Sequence, residues 1–213
     1  MIMKVLSKVA IALYRLTIVG LSKGPHVTRY YMYKHIEKYL EPRPEDLKVL
    51  SISHSERLAK LLGFNDKHIT DASYPEFNAL RLPFSDGEFD AVVSDQVLEH
   101  IEGEPQLAMN ELFRVLKPNG ISLHTTCFIN PVHGSPNDYW RFTPEALVLL
   151  TKRYGDILDV GGWGNPYVWP FIVIGLRYLP IPNVRWHPAH WLATKNNASW
   201  PIVTWVLTKK TAA

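Results

Sequence analysis

Cys127 is the single cysteine in 213 residues, so no disulfide framework is available within the chain. That usage suits a reducing compartment, and a cytoplasmic protein is expected. No run of Lys or Arg occurs and the formal net charge is only +3. The electrostatic footprint of a nucleic-acid arm is therefore missing, and no nucleic-acid partner is expected. The apolar stretch 9 to 21 (VAIALYRLTIVGL) is broken by Arg15 and Thr17 and falls short of the roughly 20 residues that a spanning helix needs. No small-residue cleavage site follows it, which argues against a secretory leader. Internal repeats and low-complexity tracts are also lacking.

What is present is a globular composition, with 46% hydrophobic and 20% charged residues. Val5, Val9, Ala12, Leu13 and Leu16 recur at helical spacing, with Lys4, Lys8 and Arg15 mostly elsewhere on the wheel. An amphipathic helix is expected there. Either it packs on its own domain, or residues 1–22 make peripheral contact with a membrane through their basic flanks. The expected organisation is an N-terminal helix and lid segment over 1–45, followed by one domain over 46–213. Within that domain, residues 163–201 hold five of the seven tryptophans and the apolar stretch PYVWPFIVIGL (166–176), and read as an insertion.

From residue 47 the pattern alternates. LKVLSIS (47–53) reads as a strand. Residues 55–63 read as a helix, with Ser53 and Glu56 at capping-box spacing and Gly63 as a stop. A short strand ends at Asp71, and EFDAVVSD (88–95) is a buried strand. Residues 105–116 form the clearest helix, which KPNG (117–120) ends. ISLHTTCF (121–128) is the next strand, and Thr143-Pro144-Glu145 starts a further helix. ILDV (157–160) and IVTWVLT (202–208) are the last strands. Strand and helix in alternation with short links predict an α/β fold, a Rossmann-like doubly wound and mostly parallel sheet with helices on both faces. Ligands of such sheets sit beyond the carboxyl ends of the strands. Residues 51–57, 71–80, 94–100 and 124–141 are the ones to inspect.

Leu82-Pro83-Phe84-Ser85-Asp86-Gly87-Glu88-Phe89-Asp90, then Val97-Leu98-Glu99-His100, then Phe113-Arg114-Val115-Leu116-Lys117-Pro118-Asn119-Gly120 follow one another in order. This run resembles the class I methyltransferases that use S-adenosyl-L-methionine (SAM), especially their small-molecule branch. The resemblance implies SAM as cofactor and assigns roles. Asp71 would accept the ribose hydroxyls. Asn78, where the family usually has Asp, would accept the adenine amino group, with Leu80 packed on the ring. Asp95, Gln96 and Val97 would line the floor under the methionine moiety, and His100 would orient the acceptor or take its proton. Only seven positions separate Asp71 from Asn78, so the family helix between the second and third strands is expected to be missing, with Tyr74 and Phe77 covering the adenine instead. The segment from Gly24 to Tyr33 would form a lid or pack on the sheet.

One departure stands out. The family's glycine-rich loop is replaced by Ser51-Ile52-Ser53-His54-Ser55-Glu56-Arg57. Ser51, Ser53 and Ser55 are small and offer hydroxyl bonds, whereas His54, Glu56 and Arg57 are bulky. Either SAM binds in an altered pose, or the chain keeps the fold without the cofactor.

The stretch HTTCFINPVHGSPNDYWRF (124–142) resembles acceptor loops of methyltransferases in surface-polysaccharide pathways. His124, His133, Asp138, Tyr139, Trp140 and Arg141 would project over the cleft, although Trp140 and Phe142 also suit a core. A hydroxyl acceptor benefits from a nearby base, which His133 or His100 would supply. His187 and His190 read as a packed pair rather than metal ligands. O-methylation of a sugar, or of another small polar or lipid-linked acceptor, is the expected function. A non-catalytic binding or scaffolding protein is the alternative.

Overall fold

The computed structural model describes residues 2–134 and 136–212. Its helices are α1 (Ile2–Thr17), α2 (Val27–Ile36), α3 (Glu56–Leu61), α4 (Pro105–Val115), α5 (Pro144–Leu150), α6 (Val168–Val173) and α7 (Pro188–Thr194). Its strands are β1 (Lys23–His26), β2 (Val49–Ile52), β3 (Ile69–Ala72), β4 (Phe89–Asp95), β5 (Leu116–Cys127), β6 (Gly155–Trp163), β7 (Pro180–Pro182) and β8 (Val203–Lys210). The chain divides into two compact units. One comprises 1–35 with 163–202, the other 36–162 with 203–213.

The larger unit is built on a six-stranded sheet in the order β3-β2-β4-β5-β8-β6. β3, β2, β4 and β5 run parallel, while β8 returns antiparallel to β5. A strand covered on both faces has no solvent side to mark with polar residues, so it reads as a continuous buried run. β4 (FDAVVSD) and the second half of β5 do so. α4 starts with Pro105 in its first turn, where the missing N–H costs nothing, and buries Ala108, Met109, Leu112 and Val115. These residues join Leu50, Phe89, Val92 and Tyr154 in one core, and the buried Tyr154 hydroxyl donates to the Met109 carbonyl at 2.9 Å. The Thr143 hydroxyl accepts from the Ala146 N–H at 3.2 Å and caps α5 as expected. Between β3 and β4, residues 73–88 contain turns and an isolated bridge from Asn78 to Arg81, with no helix.

Two local expectations are corrected. The N-cap of α3 is Ser55, not Ser53, because Ser53 sits in the left-handed region at φ +52° and belongs to the preceding turn. Lys117 to Gly120 do not form a separate stop: α4 passes directly into β5 at Leu116, and the turn of chain is absorbed at Asn119 with φ +64°.

The three motif pieces clasp one another. Arg114 donates to the carbonyls of Leu82 (3.1 Å) and Phe84 (2.7 Å), to Asp86 (2.8 Å) and to Glu111 (2.9 Å). The Gly87 N–H returns a bond to the Arg114 carbonyl at 2.8 Å, and Lys117 Nζ lies 2.8 Å from both oxygens of Asp90. One guanidinium thus fixes the loop before β4 to the helix after it, a fan that only its fork of donors can make.

In the smaller unit β1 and β7 pair antiparallel. The Tyr30 hydroxyl, fully buried, donates to Asn183 Oδ1 at 2.8 Å, and Lys34 donates to it at 2.7 Å. Tyr14 of α1 donates to the Pro180 carbonyl at 2.9 Å, and Trp163 to the Lys195 carbonyl at 2.9 Å. Among the described residues no helix is long and apolar enough to cross a membrane.

Candidate functional site

A cavity of about 710 Å³ opens at the carboxyl ends of β2, β3 and β4 in the larger unit. That volume is within the range of small-molecule and cofactor sites. Its walls come from the turn after β2 (Ser53, His54), the segment after β3 (Ser73 to Leu80), the segment after β4 (Gln96, Val97, His100, Ile101) and the loop at Pro136, Asn137 and Tyr139. Each wall is one of the post-strand segments singled out from the sequence. Of the residues that the sequence singles out, Ser53, Asn78, Leu80, Gln96, Val97, His100 and Tyr139 line it.

The turn after β2 shows how a glycine-poor sequence makes this bend. Ser53 and His54 both adopt positive φ, +52° and +62°. Non-glycine residues are seldom found there and need outside support. Asp71 supplies it: its carboxylate accepts from the His54 N–H (2.9 Å) and the Ser51 hydroxyl (2.7 Å). The Ser73 hydroxyl also donates to it, and His54 Nδ1 lies 3.2 Å away. Burial alone would raise the Asp71 pKa, but the bonds from Ser73, Ser51 and the His54 N–H outweigh it and hold the carboxyl below its ordinary value. Asp71 lies immediately beyond the register pair Leu50 and Thr70, opposite Ser51, and is itself outside the cavity wall, which its neighbours Ala72 and Ser73 line.

Ser51 and Ser55 do not face the cavity, which corrects their assignment to the cofactor. Both are buried. Ser51 Oγ accepts from the Ser55 N–H at 2.8 Å, and the Ser55 hydroxyl donates to the Ile52 carbonyl while accepting from the Asp95 N–H at 2.7 Å. They replace glycine by tying the turn to β4. Asp95 accepts from the Thr125 hydroxyl at 2.6 Å and sits behind the cavity wall rather than in it. Gln96 follows at φ +59°, and its Nε2 is buried with no hydrogen-bond partner among the described residues. A buried unpaired donor is costly, and the residue that carries it also lines the cavity.

The acceptor loop is held from beneath. The Glu99 carbonyl, at the end of the segment after β4, accepts from the N–H groups of Tyr139 (2.8 Å) and Trp140 (3.1 Å). The buried Glu99 side chain accepts from Thr126 at 2.8 Å. Arg141 donates through both terminal nitrogens to Asp138, whose side chain is 1% exposed, and the His133 N–H donates to the same carboxylate at 2.7 Å. Asp138 and Arg141 are therefore a latch inside the loop, not groups projecting over the cleft. His124 is also displaced from its expected place. It is fully buried in β5, 2.8 Å from the Ser94 hydroxyl, and desolvation pushes its pKa down to about 3. Phe142 is core, whereas Trp140 stays partly exposed and donates to the Ile101 carbonyl at 2.9 Å.

His100 and His133 come together edge to face, with ring centroids 5.1 Å apart. Only His100 lines the cavity. Its Nδ1 bonds the Asn137 carbonyl, an acceptor only, so Nδ1 carries the proton and the lone pair is on Nε2. His133 Nδ1 lies 3.2 Å from Asp138. The Glu99, Cys127 and His133 ligand atoms converge within 4.8 Å, but burial first, with the Glu99 charge, pushes the Cys127 thiol up to about 12. His54, Ser73 and Asn137 were not singled out as site residues from the sequence. The proline beside Asn137 and the small residues around Ser73 gave no chemical signal.

Three carboxyls are held below their ordinary values: Asp138, chiefly by bonds from Arg141; Glu111, chiefly by bonds from Arg114; and Asp71. A depressed carboxyl contributes stability that is complete above its unfolded value, here 3.8 for Asp and 4.5 for Glu, and lost as pH falls through the folded value. The urea midpoint is expected to decline once pH falls below about 6.5, where the unfolded chain but not the folded one protonates His124, and to drop further below about pH 4 as these carboxyls take protons. A midpoint unchanged at pH 3 would exclude these pairs as stabilising.

Residues 35–123 match the family model described as a methyltransferase domain. This segment carries β2 to β4, α4 and the first part of β5, hence most of the cavity wall. The larger unit's fold is likewise that of class I SAM-dependent methyltransferases. An uncharacterized protein of Haemophilus influenzae is 47% identical over 92 residues, covering 41% of this chain and 37% of that protein's length. Among solved structures, the chain is similar to a SAM-dependent methyltransferase from Thermotoga maritima, at 14% identity and a TM-score of 0.50 over 97% of this chain and 99% of that one. It is similar to phosphoethanolamine N-methyltransferase 2 of Haemonchus contortus with S-adenosylhomocysteine bound, at 15% identity and 0.55 over 85% and 52%. It is also similar to the [4+2]-cyclase SpnF, at 16% identity and 0.54 over 85% and 81%. These identities establish the fold, and the cyclase among them shows that the fold alone does not set the reaction.

The cofactor of the matched domain is SAM, and the residues present suit it. The cavity has the volume, Asn78 offers an acceptor in its wall, Asp71 stands next in the chain to the lining residue Ala72, and Phe77, Leu80, Val97 and Ile101 offer apolar wall.

Proposed function

We propose that the chain is a SAM-dependent methyltransferase that methylates a hydroxyl of a sugar or another small polar metabolite, with His100 taking the hydroxyl proton. When bound, SAM supplies an activated methyl on a sulfonium, so the protein mainly aligns donor and acceptor. Asp71 would hold the ribose hydroxyls, Asn78 the adenine amino group and Gln96 the carboxylate of the methionine moiety. His100 faces the same space with Nε2 free to accept a proton, and the Asn137 carbonyl fixes that tautomer. Tyr139, 45% exposed at the rim, offers a flat face for a sugar ring. His100 in the wall of this cavity, with its tautomer fixed by the Asn137 carbonyl, is the observation that carries the reading.

Calorimetric titration of the purified chain with SAM and with S-adenosylhomocysteine tests it. Binding of both, followed by transfer of labelled methyl to a hydroxylated acceptor, is expected. Absence of binding at millimolar ligand would overturn it. One observation favours a second reading, a binding protein without SAM. Asp71 already accepts from Ser51, Ser73 and the His54 N–H, with the His54 ring beside it, so ribose hydroxyls must displace protein donors.

A further inference from the structure

The smaller unit has an extreme charge balance that the whole-chain value of +3 conceals. Residues 1–35 and 163–202 contain nine Lys and Arg and not one Asp or Glu; all 20 acidic residues of the chain lie in the larger unit. The same unit exposes large apolar side chains. α1 has two apolar faces. Ala10, Ile11, Tyr14 and, just beyond the helix, Ile18 turn inward. Val5, Val9, Leu13 and Leu16, at spacings of four, four and three, are exposed, with Leu16 at 70%. Lys4, Lys8 and Arg15 are exposed and each precedes a member of that stripe by one residue, so they form a basic edge about 100° around the helix. Elsewhere in the unit Trp186 is 71% exposed, and Trp191 and Tyr167 line an apolar groove of about 550 Å³ with Leu13 and Phe171. Lys195 stands 4.8 Å from the Trp191 ring centroid and 4.9 Å from that of Tyr167.

An exposed apolar stripe bordered by basic side chains, with tryptophan and tyrosine beside it, is the arrangement that settles in the interface of a bilayer. Apolar exposure on this scale also needs a cover. A nucleic acid would match the charge but not the aliphatic stripe. We propose that the smaller unit is an anchor for anionic membrane surfaces, with α1 lying in the plane of the bilayer, its Val5-Val9-Leu13-Leu16 stripe in the acyl boundary and Lys4, Lys8 and Arg15 against lipid phosphates. No spanning helix is required. The inference stands whether or not the larger unit transfers methyl groups.

Co-sedimentation of the full chain with vesicles tests it. Phosphatidylcholine vesicles are compared with vesicles containing one third phosphatidylglycerol in place of phosphatidylcholine. Binding to the anionic vesicles, weakened by high salt, is expected, with little binding to neutral ones. Near such a surface a basic residue is worth about 1 kcal/mol. Lys4→Gln, Lys8→Gln and Arg15→Gln together should therefore lower the partition coefficient roughly a hundredfold. Leu13→Ser with Leu16→Ser should lower binding at every salt concentration. All five side chains are exposed, so the thermal melt of each variant should match the parent. No binding to anionic vesicles at low salt would overturn the proposal. So would binding indifferent to both sets of variants, or variants that abolish self-association or RNA binding while leaving vesicle binding intact.

Discussion

Replacing His100 with glutamine is expected to lower kcat by about 10²- to 10⁴-fold, the usual contribution of a positioned general base, while SAM affinity stays unchanged. Glutamine is close in size and polarity, but its amide oxygen is far too weak a base to take a proton there. The acid limb of the pH–rate profile should vanish with the rate. A merely structural role would leave the profile's shape intact and shift only its height. His133→Gln provides the contrast. His133 stands behind His100 and beside Asp138, outside the cavity wall, so its replacement should cost less and preserve the profile. If the two variants behaved alike, the proton would leave by a route through both rings, or neither would be the base.

Asp71→Ala is expected to weaken SAM binding by about tenfold to a hundredfold, since hydrogen bonds to a charged group are worth roughly 1.5–3 kcal/mol. It should also destabilise the fold, because the His54 N–H and the Ser51 hydroxyl lose their acceptor. Asp71→Asn separates the two effects. The amide oxygen can still hold the turn, but the amino group cannot accept from Ser73 or from ribose. Affinity should then fall with stability largely kept, as read by calorimetry and by urea unfolding. Unchanged affinity in both variants would mark Asp71 as an anchor of the turn alone and would favour the reading without SAM.

Much of this arrangement was legible in the residues. Pro105 and the spacing of Ala108, Leu112 and Val115 set α4; Thr143 before Pro144 set α5; and the post-strand segments became the cavity walls. The failures share a cause. β5 is buried on both faces, so alternation gives no sign of which residue faces where, and His124, expected over the cleft, is enclosed beside Ser94 and Tyr154. Ser51 and Ser55 have the right chemistry for a cofactor, but a hydroxyl one residue from a strand end is captured first by the nearest backbone groups. Asp138 and Arg141 have opposite charges three residues apart, close enough to satisfy each other before any ligand arrives. The gathering of the N-terminus with residues 163–202 depends on contacts across more than a hundred positions, which no local pattern encodes.

The turn after β2 has one more consequence. Glycine at its positive-φ positions would be supple in the free protein and would have to be frozen by the ligand. Ser53 and His54 are restricted from the start, at some steric cost that Asp71 offsets. The entropy of ordering this turn is therefore met during folding, so a ligand that touches it meets a surface already set in shape.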